Sequence, residues 1–194
     1  DRRASRDRRR RGARLGQARP WPRMLDDPQD RPLRAPARHL PALCLGAVGV
    51  KGEDDAGGRR MSAANKAAVR AYVDAFNAHD VARLNRLFAP EARIWGVLGA
   101  GPLDMAMGIW RELHEGMEMR LEILDLVAEG DTVAARLRET GRFAGPFRGM
   151  GGLAPTGRPY EVAAMEWFRL EDGKITERWG ARDSAAIVRQ VSQD

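Results

Sequence analysis

Residues 158–183, RPYEVAAMEWFRLEDGKITERWGARD, alternate between apolar and polar side chains on both sides of a short polar stretch. This period of two is typical of β-strands that bury one face. The polar stretch Glu171-Asp172-Gly173-Lys174 indicates a tight turn, because glycine supplies the positive φ that such turns require. The pattern therefore predicts a β-hairpin with strands over about 158–170 and 174–183.

The same period of two continues upstream of this hairpin. It predicts strands over about 118–128 and 131–144, joined by a turn at Glu129-Gly130-Asp131. The link from Pro146 to Gly157 is rich in glycine and proline, which indicates a loop. Downstream, Ser184 to Val191 has the pattern of a short closing helix.

Helical spacing dominates the segment that precedes these strands. Ser62, Asp80 and Asp104 are each predicted to cap the start of a helix, because their side chains accept hydrogen bonds from free backbone N–H groups. Between the second and third helices, residues 91–98 predict a short strand, which the cluster 99–102 interrupts. The first helix places four apolar residues on one face: Val69, Tyr72, Val73 and Phe76.

The predicted order of elements is α-α-β-α-β-β-β-β. Helices followed by antiparallel hairpins indicate an α+β fold, in which a curved antiparallel sheet wraps around the N-terminal helices as a cone. The interior of such a cone suits an apolar small-molecule ligand. Strands and helices do not alternate as in βαβ units, which disfavours a Rossmann-like nucleotide-binding fold.

Charge and aromatic residues divide the 194-residue chain near Met61. Residues 1–60 hold 16 Lys and Arg against 8 Asp and Glu, whereas the remainder holds 17 against 19. The overall charge of +6 therefore belongs to an Arg/Pro-rich tail, and 61–194 is expected to form the folded domain. For the tail, we prefer an unstructured segment or an over-extended start to two alternatives: a basic arm for nucleic acid and an export signal around Leu40–Val50.

The remaining composition narrows the function classes. A single cysteine, Cys44, excludes a disulfide framework and is compatible with a cytoplasmic protein. The three histidines, at positions 39, 79 and 114, lack metal-ligand spacing, so no metal is expected. No apolar run has the ~20 residues that cross a bilayer, and no folded nucleic-acid reader follows the tail. We therefore expect neither a membrane nor a specific nucleic-acid partner.

Five segments in order carry a resemblance to a known family. The chain resembles the SnoaL-like polyketide cyclases and ester cyclases of the nuclear-transport-factor-2-like superfamily over nearly all of 62–191, and not over 1–60. The segments are Asn77-Ala78-His79-Asp80 with Leu84 to Ala92, Glu129 to Ala134, Gly152 to Arg158, Phe168 to Ile175, and Glu177-Arg178-Trp179 with Asp183.

The resemblance implies a cone-shaped α+β barrel, usually an oligomer such as a dimer, with a pocket between sheet and helices and no metal or cofactor. In characterised cyclases of this family an Asp near the last strand acts as general acid and base in an intramolecular aldol closure, and Asp183 matches that position. The chain departs from the commoner family pattern at Arg178, at Arg142-Phe143 and at His114-Glu115-Gly116.

Asp183 has two interpretations from the residues themselves. Strand alternation would place Ile175, Trp179 and Asp183 on one inward face, where an acid could move a proton from carbon to oxygen. Alternatively, Asp183 is the N-cap of the closing helix, because Asp183 to Ala186 is a good capping sequence. Both interpretations stay open at this point.

Other side chains are candidate substrate-binding groups. Enolate chemistry requires a hydrogen-bond donor beside the reacting carbonyl, and an apolar ligand requires aromatic walls. Glu166 shares the predicted inward face with Ala164 and Phe168. The candidate donors are Tyr72, Trp95, Trp179 and an arginine, among which the sequence does not choose. Trp179 is also a candidate pocket wall, Glu166 a buried carboxylate and His114 a residue at the pocket mouth.

The sequence thus predicts a cofactor-free cyclase or isomerase that uses acid/base chemistry on an apolar carbonyl substrate. The alternative is a non-catalytic module of the same fold that binds a small molecule or dimerises. Hydrolysis is a third option, which would require further pocket Asp, Arg or Asn groups.

Overall fold

The computed structural model describes residues 53–192, so the predictions made for residues 1–52 lie outside the described part of the chain. Within it, four helices and six strands form one α+β unit. The helices are α1 (Glu53–Asn77), α2 (Val81–Leu87), α3 (Leu103–Met117) and α4 (Ser184–Ser192). The strands are β1 (Phe88–Gly96), β2 (Gly99–Pro102), β3 (Arg120–Glu129), β4 (Thr132–Arg142), β5 (Pro159–Glu171) and β6 (Lys174–Arg182).

The six strands form a single open sheet in the order β2-β1-β6-β5-β4-β3. The three pairs among β3, β4, β5 and β6 are antiparallel as predicted, the pair of β1 and β2 is antiparallel as well, and β1 and β6 run parallel. The sheet curves around α1 and α3: α1 packs on β3 and β4, and α3 packs on β1, β2 and β4. The predicted α+β class, with a curved sheet around N-terminal helices, is confirmed.

The core lies between the inner face of the sheet and these helices. Every second residue of β5 is buried, which is the alternation predicted from the sequence. The predicted apolar face of α1 is buried as well. Its members are Val69, Tyr72, Val73 and Phe76.

Two of the three predicted helix caps are wrong. The first helix starts at Glu53 rather than at Ser62, so Ser62 lies within the helix. The third helix follows Pro102, so Asp104 lies within its first turn instead of capping it. The cap at Asp80 is confirmed, because its carboxylate accepts the backbone N–H of Arg83 at 2.8 Å.

The segment 99–102 is a strand, β2, and not merely an interruption. It pairs antiparallel with the end of β1, from Gly96↔Gly99 to Arg93↔Pro102. Gly99 has φ 119°, a conformation that side chains rarely permit, and this turn lets the chain reverse after only two residues. The glycines that suggested a break thus make a tight hairpin.

A β-bulge in β6 reverses the face predicted for most of that strand. Arg169 of β5 pairs with Glu177 and the next residue, Leu170, pairs with Ile175, which leaves Thr176 as an extra residue. Because one inserted residue flips every following side chain, Arg178 and Arg182 point inward. The predicted inward orientation of Trp179 and Asp183 is therefore wrong.

His114 does not lie at the pocket mouth, contrary to prediction. Its ring stacks on His79, with centroids 3.8 Å apart, and contacts Phe76 at 4.3 Å. Nε2 of His114 is buried without a hydrogen-bond partner. Burial, assisted by the positive charges of His79 and Arg120, lowers the pKa of His114 to about 4.

One side chain of α1 hydrogen-bonds to the backbone of the edge strand β3. Asn77, the last residue of α1, donates from Nδ2 to the carbonyl of Leu121 at 2.7 Å and accepts the N–H of Leu121 at 2.9 Å. The amide therefore acts like a neighbouring strand and satisfies backbone groups at the open edge.

We expect Asn77→Ala to lower the free energy of unfolding by about 2 kcal/mol, because it leaves two partly buried backbone groups without partners. Urea titration followed by circular dichroism measures the change. The matched control is Asn85→Ala at an exposed position of α2, which should change stability by less than about 0.5 kcal/mol. Equal effects of the two substitutions would contradict the role of Asn77.

We expect the fold to lose stability as the pH falls from about 6.5 to about 4. The unfolded chain then binds a proton at His114 that the folded chain does not bind. The loss from this residue should be about 1 kcal/mol, less than the full shift implies because the ring is partly exposed. His114→Gln should flatten this part of the pH dependence, measured as the urea midpoint at pH 7 and pH 4.5; an unchanged slope would contradict it.

Candidate functional site

A pocket opens between α3 and the inner face of the sheet. The empty space in and in front of this pocket, open solvent included, is about 650 Å³. The hairpin of β1 and β2 forms the mouth, through residues such as Val97 and Leu98. The helix side of the wall is apolar and consists of Met105, Ala106, Ile109, Trp110 and Leu113. An open pocket with such an apolar wall suits a small apolar ligand.

The sheet side of the pocket carries a buried ion pair between Glu166 and Arg178. These side chains are only 3% and 9% exposed, and Nη2 of Arg178 donates directly to Oε1 of Glu166. The second carboxylate oxygen, Oε2, and Nε of Arg178 are buried without protein partners. The pair therefore keeps one free acceptor and one free donor.

Gly180 provides the space for this ion pair. A Cβ at that position would lie 2.7 Å from Nη2 and 2.8 Å from Cζ of Arg178. Gly180 pairs with Glu166 across the sheet, so the guanidinium lies over a bare backbone directly beside the carboxylate. A larger residue would push Arg178 away from Glu166.

Aromatic rings surround the same guanidinium. Cζ of Arg178 lies 5.7 Å from the ring of Trp110 and 6.0 Å from the ring of Tyr72. Burial disfavours the charged form of Arg178, but the Glu166 carboxylate outweighs that cost and raises the pKa of Arg178. Burial raises the pKa of the Tyr72 phenol well above its usual range, so its hydroxyl keeps its proton. Arg178 is thus a fixed cation and Tyr72 a neutral neighbour.

A second ion pair, between Glu139 and Arg182, lies on the same wall. Nη1 of Arg182 donates to Oε1 of Glu139 at 2.6 Å, and the Tyr160 hydroxyl donates to the same oxygen at 3.1 Å. Burial raises the pKa of Glu139 despite the nearby Arg182. Nε of Arg182 has no hydrogen-bond partner.

Two small residues separate the ion pairs. Ala164 pairs with Arg182 across the sheet, and Gly180 pairs with Glu166. Both small residues line the pocket, as do all four charged side chains. The result is an apolar cavity with two acid–base pairs on one wall, and charges of this kind are costly to bury unless they are paired. Buried ionisable side chains that cluster in a pocket are typical of functional sites.

Of the five predicted substrate-binding residues, only Glu166 lines the pocket. Tyr72 is fully buried beneath it, with a hydroxyl that makes no hydrogen bond. Trp95 and Trp179 stack on each other on the outer face of the sheet, with centroids 4.5 Å apart and planes 10° from parallel. These three residues and His114 therefore do not line the pocket.

Asp183 lies outside the pocket. Its side chain is 59% exposed, and Oδ1 accepts the N–H of Ala186 at 2.8 Å. Oδ2 lies 3.9 Å from Nη2 of Arg189. The carboxylate therefore has the geometry of an N-cap on α4, which is the second of its two interpretations.

The sequence arguments missed Glu139, Arg178 and Arg182. Glu139 was detectable, because it shares the inward parity of Val133, Ala135 and Leu137, the criterion that identified Glu166. The two arginines were not detectable in this way, because the bulge at Thr176 changes their parity.

Other classes of site are not supported in the part of the chain that the structure describes. No group of three or more His, Cys, Asp and Glu side chains there could hold a metal ion. Among residues 53–192, no helix is both long and apolar enough to cross a membrane.

Comparisons with known proteins agree with this architecture. A relative, the aklanonic acid methyl ester cyclase AcmA of Streptomyces galilaeus, is 31% identical over 132 residues, which are 66% of this chain and 90% of the relative. The structure of IdmH from Streptomyces antibioticus, a candidate polyketide cyclase, is 26% identical, with a TM-score of 0.60 over 66% of this chain and 99% of IdmH.

A candidate SnoaL-like polyketide cyclase from Jannaschia has the same fold, with a TM-score of 0.62 at 24% identity, over 69% of this chain and 95% of that protein. The family model for the SnoaL-like polyketide cyclases matches residues 66–191, which include every strand and both ion pairs of the pocket. The chain belongs to the SnoaL-like polyketide cyclase family.

Proposed function

We propose that this protein is a cyclase that closes a ring within an apolar carbonyl compound, with Glu166 as the general acid and base. The observation that carries the proposal is the Glu166 carboxylate, which is buried in an apolar pocket, held by Arg178 and left with one free oxygen. In this proposal the activity belongs to the domain predicted over 61–194, together with the start of α1 from Glu53, and the cytoplasmic location expected from the single cysteine is part of the same proposal.

Glu166 is suited to remove a proton from carbon. The α-carbon of a ketone is a weak acid, so a catalytic base must be positioned close to it and water must be kept away. Oε1 of Glu166 accepts from Arg178, whereas Oε2 makes no hydrogen bond within the protein. In this proposal Oε2 is the atom that takes the proton from a ligand bound against this wall.

Arg178 is suited to stabilise the enolate that results. Removing the α-proton moves negative charge onto the carbonyl oxygen, and a fixed cation at that point lowers the barrier. Nε of Arg178 is a free donor beside the base, and the rings of Tyr72 and Trp110 fix the guanidinium. These side chains supply the acid, base and cation of an aldol closure without an added cofactor.

In this proposal the general acid and base is Glu166 and not Asp183. A carboxylate that caps α4 and faces solvent is not within the cavity that encloses the ligand. The alternative function, binding without turnover, uses the same apolar walls and leaves both ion pairs as structural groups.

We expect Glu166→Gln to lower the rate of ring closure by at least about 100-fold, because the amide cannot accept the proton. The substrate is a triketone in which a butanone side chain hangs from a cyclohexanedione ring, and product formation is followed by chromatography. Asp183→Asn is the matched control. It should keep at least about half of the activity, because Asn accepts the same capping hydrogen bond.

A larger loss in Asp183→Asn than in Glu166→Gln would contradict the assignment. Wild-type protein that binds the triketone and leaves it unchanged would favour the non-catalytic alternative.

We further propose that two copies of the chain associate through the outer face of the sheet. One row of paired residues crosses all six strands, and each of its members is apolar. Trp167 in this row is 50% exposed, beside Met165 at 58%. The row consists of Val127, Ala134, Trp167, Trp179, Trp95 and Ala100.

The area and composition of this face suit an interface with a second copy of the chain. Six strands at about 4.8 Å spacing and about nine residues in length give a face of roughly 700 Å², close to the ~800 Å² that each partner buries in a standard interface. Ion pairs flank the apolar row on both sides, Arg136 with Asp125 and Arg169 with Glu177. An apolar centre with a charged rim is the usual anatomy of a protein interface.

We expect Trp167→Glu to convert the dimer to a monomer, because it places a charge at the centre of the apolar row. Sedimentation velocity at micromolar concentration measures the change. Val81→Glu, on an exposed apolar side chain of α2, is the matched control and should leave the dimer intact. A monomeric wild-type protein would overturn the interface.

A further inference from the structure

The pocket contains two ion pairs, although the removal of one proton requires only one. Glu166 and Arg178 suffice for forming an enolate, yet Glu139 and Arg182 lie on the same wall and are equally buried. Replacing a buried ion pair by apolar residues is often neutral or stabilising, so packing alone gives no reason to keep the second pair. The aldol closure, in contrast, involves a second carbonyl group at which negative charge develops.

An aldol closure joins two carbonyl groups with opposite roles. One carbonyl compound loses its α-proton and becomes the nucleophile, and the other carbonyl is attacked at carbon. Its oxygen then acquires the negative charge. A donor at this second oxygen lowers the barrier to forming the carbon–carbon bond in the same way that Arg178 lowers the barrier to enolisation.

We propose that Arg182 binds the carbonyl oxygen that is attacked, and that Glu139 and Tyr160 are positioning residues that hold Arg182 in place. This assignment rests on the proposed function and deepens it. It divides the pocket wall into an enolate end at Arg178 and an acceptor end at Arg182.

Three observations support the acceptor end. Nε of Arg182 is a buried donor without a partner, in a side chain that is 7% exposed. Oε1 of Glu139 accepts from both Arg182 and the Tyr160 hydroxyl, so the carboxylate is fixed from two sides. Nη1 of Arg182 also donates to Sδ of Met119 at 3.5 Å, and a thioether is a weak acceptor that competes little with a ligand oxygen.

The spacing of the two ends suits ring closure. Arg182 pairs across the sheet with Ala164, two residues before Glu166 in β5. The guanidinium of Arg178 lies over Gly180, two residues before Arg182 in β6. Two residues along a strand span about 7 Å, which two carbonyl groups of one folded ligand can bridge. Ala164, which lies opposite Arg182, has only a methyl side chain, so the forming ring can lie against it, whereas the guanidinium of Arg178 covers Gly180.

The reaction balances with these groups. Glu166 takes the α-proton, the new carbon–carbon bond forms as the acceptor carbonyl opens to an alkoxide, and Arg182 holds that charge. The proton returns from Glu166 to the alkoxide to give the hydroxyl. No atom or electron is gained or lost overall, and both ion pairs return to their starting state.

The test separates the two ends by measuring two reactions. Exchange of the α-hydrogens of a one-carbonyl probe, an aryl-fused cyclohexanone in deuterium oxide, requires only enolisation. Ring closure of the triketone requires both ends. Neutral double variants avoid a buried unpaired charge: Glu139→Gln with Arg182→Gln at the acceptor end, and Glu166→Gln with Arg178→Gln at the enolate end.

We expect the acceptor-end variant to lose ring closure by at least about 100-fold while exchange falls by less than about 5-fold. The enolate-end variant should lose both reactions. Tyr160→Phe is the mildest substitution and should remain folded if the double variant does not. It should lower kcat for ring closure by about 10-fold, with little change in KM or in exchange.

Equal losses of exchange and ring closure at the acceptor end would overturn the proposal, and so would full ring closure without Arg182. A wild-type protein that catalyses neither reaction would instead overturn the proposed function, and the division of the pocket falls with it.

Discussion

The extra residue in β6 determines which side chains the interior of this protein receives. Thr176 has no counterpart on β5, since consecutive residues Arg169 and Leu170 pair with Glu177 and Ile175. Every side chain beyond the bulge therefore changes face. Without it, the positions of Arg178 and Arg182 would face solvent, and the carboxylates on β4 and β5 would be buried without cations.

Each buried charge of the pocket requires a partner of opposite charge. A single buried carboxylate or guanidinium is costly, and removing one partner of such a pair commonly costs 3–5 kcal/mol. Glu166 on β5 and Glu139 on β4 each form an ion pair with an arginine of β6. Gly180 leaves the space in which the guanidinium of Arg178 lies beside Glu166. The four charges cancel within an apolar cavity, which favours a neutral ligand over an ionised one. An electrically neutral carbonyl compound meets this condition.

Much of the fold could be predicted because its strands alternate regularly. The hairpin of β5 and β6 and the apolar face of α1 follow directly from periodicity, and Glu166 was identified by the parity of β5. Two features escaped this reasoning for physical reasons. The start of α1 lies ahead of Ser62 because a capping residue is also compatible with a helix interior. The bulge depends on pairing between strands, which a single strand's pattern does not encode.

The same bulge connects the pocket to the outer face of the sheet. By turning Arg178 inward it turns Trp179 outward, between Trp167 of β5 and Trp95 of β1. Trp179 thereby completes an apolar row that would otherwise be broken in the middle of the sheet, and it stacks on Trp95. One inserted residue thus supplies both the cations of the cavity and the centre of the proposed dimer face. Any change that removes the bulge would disturb both surfaces together, because a strand has only two faces and a shift of one residue exchanges them.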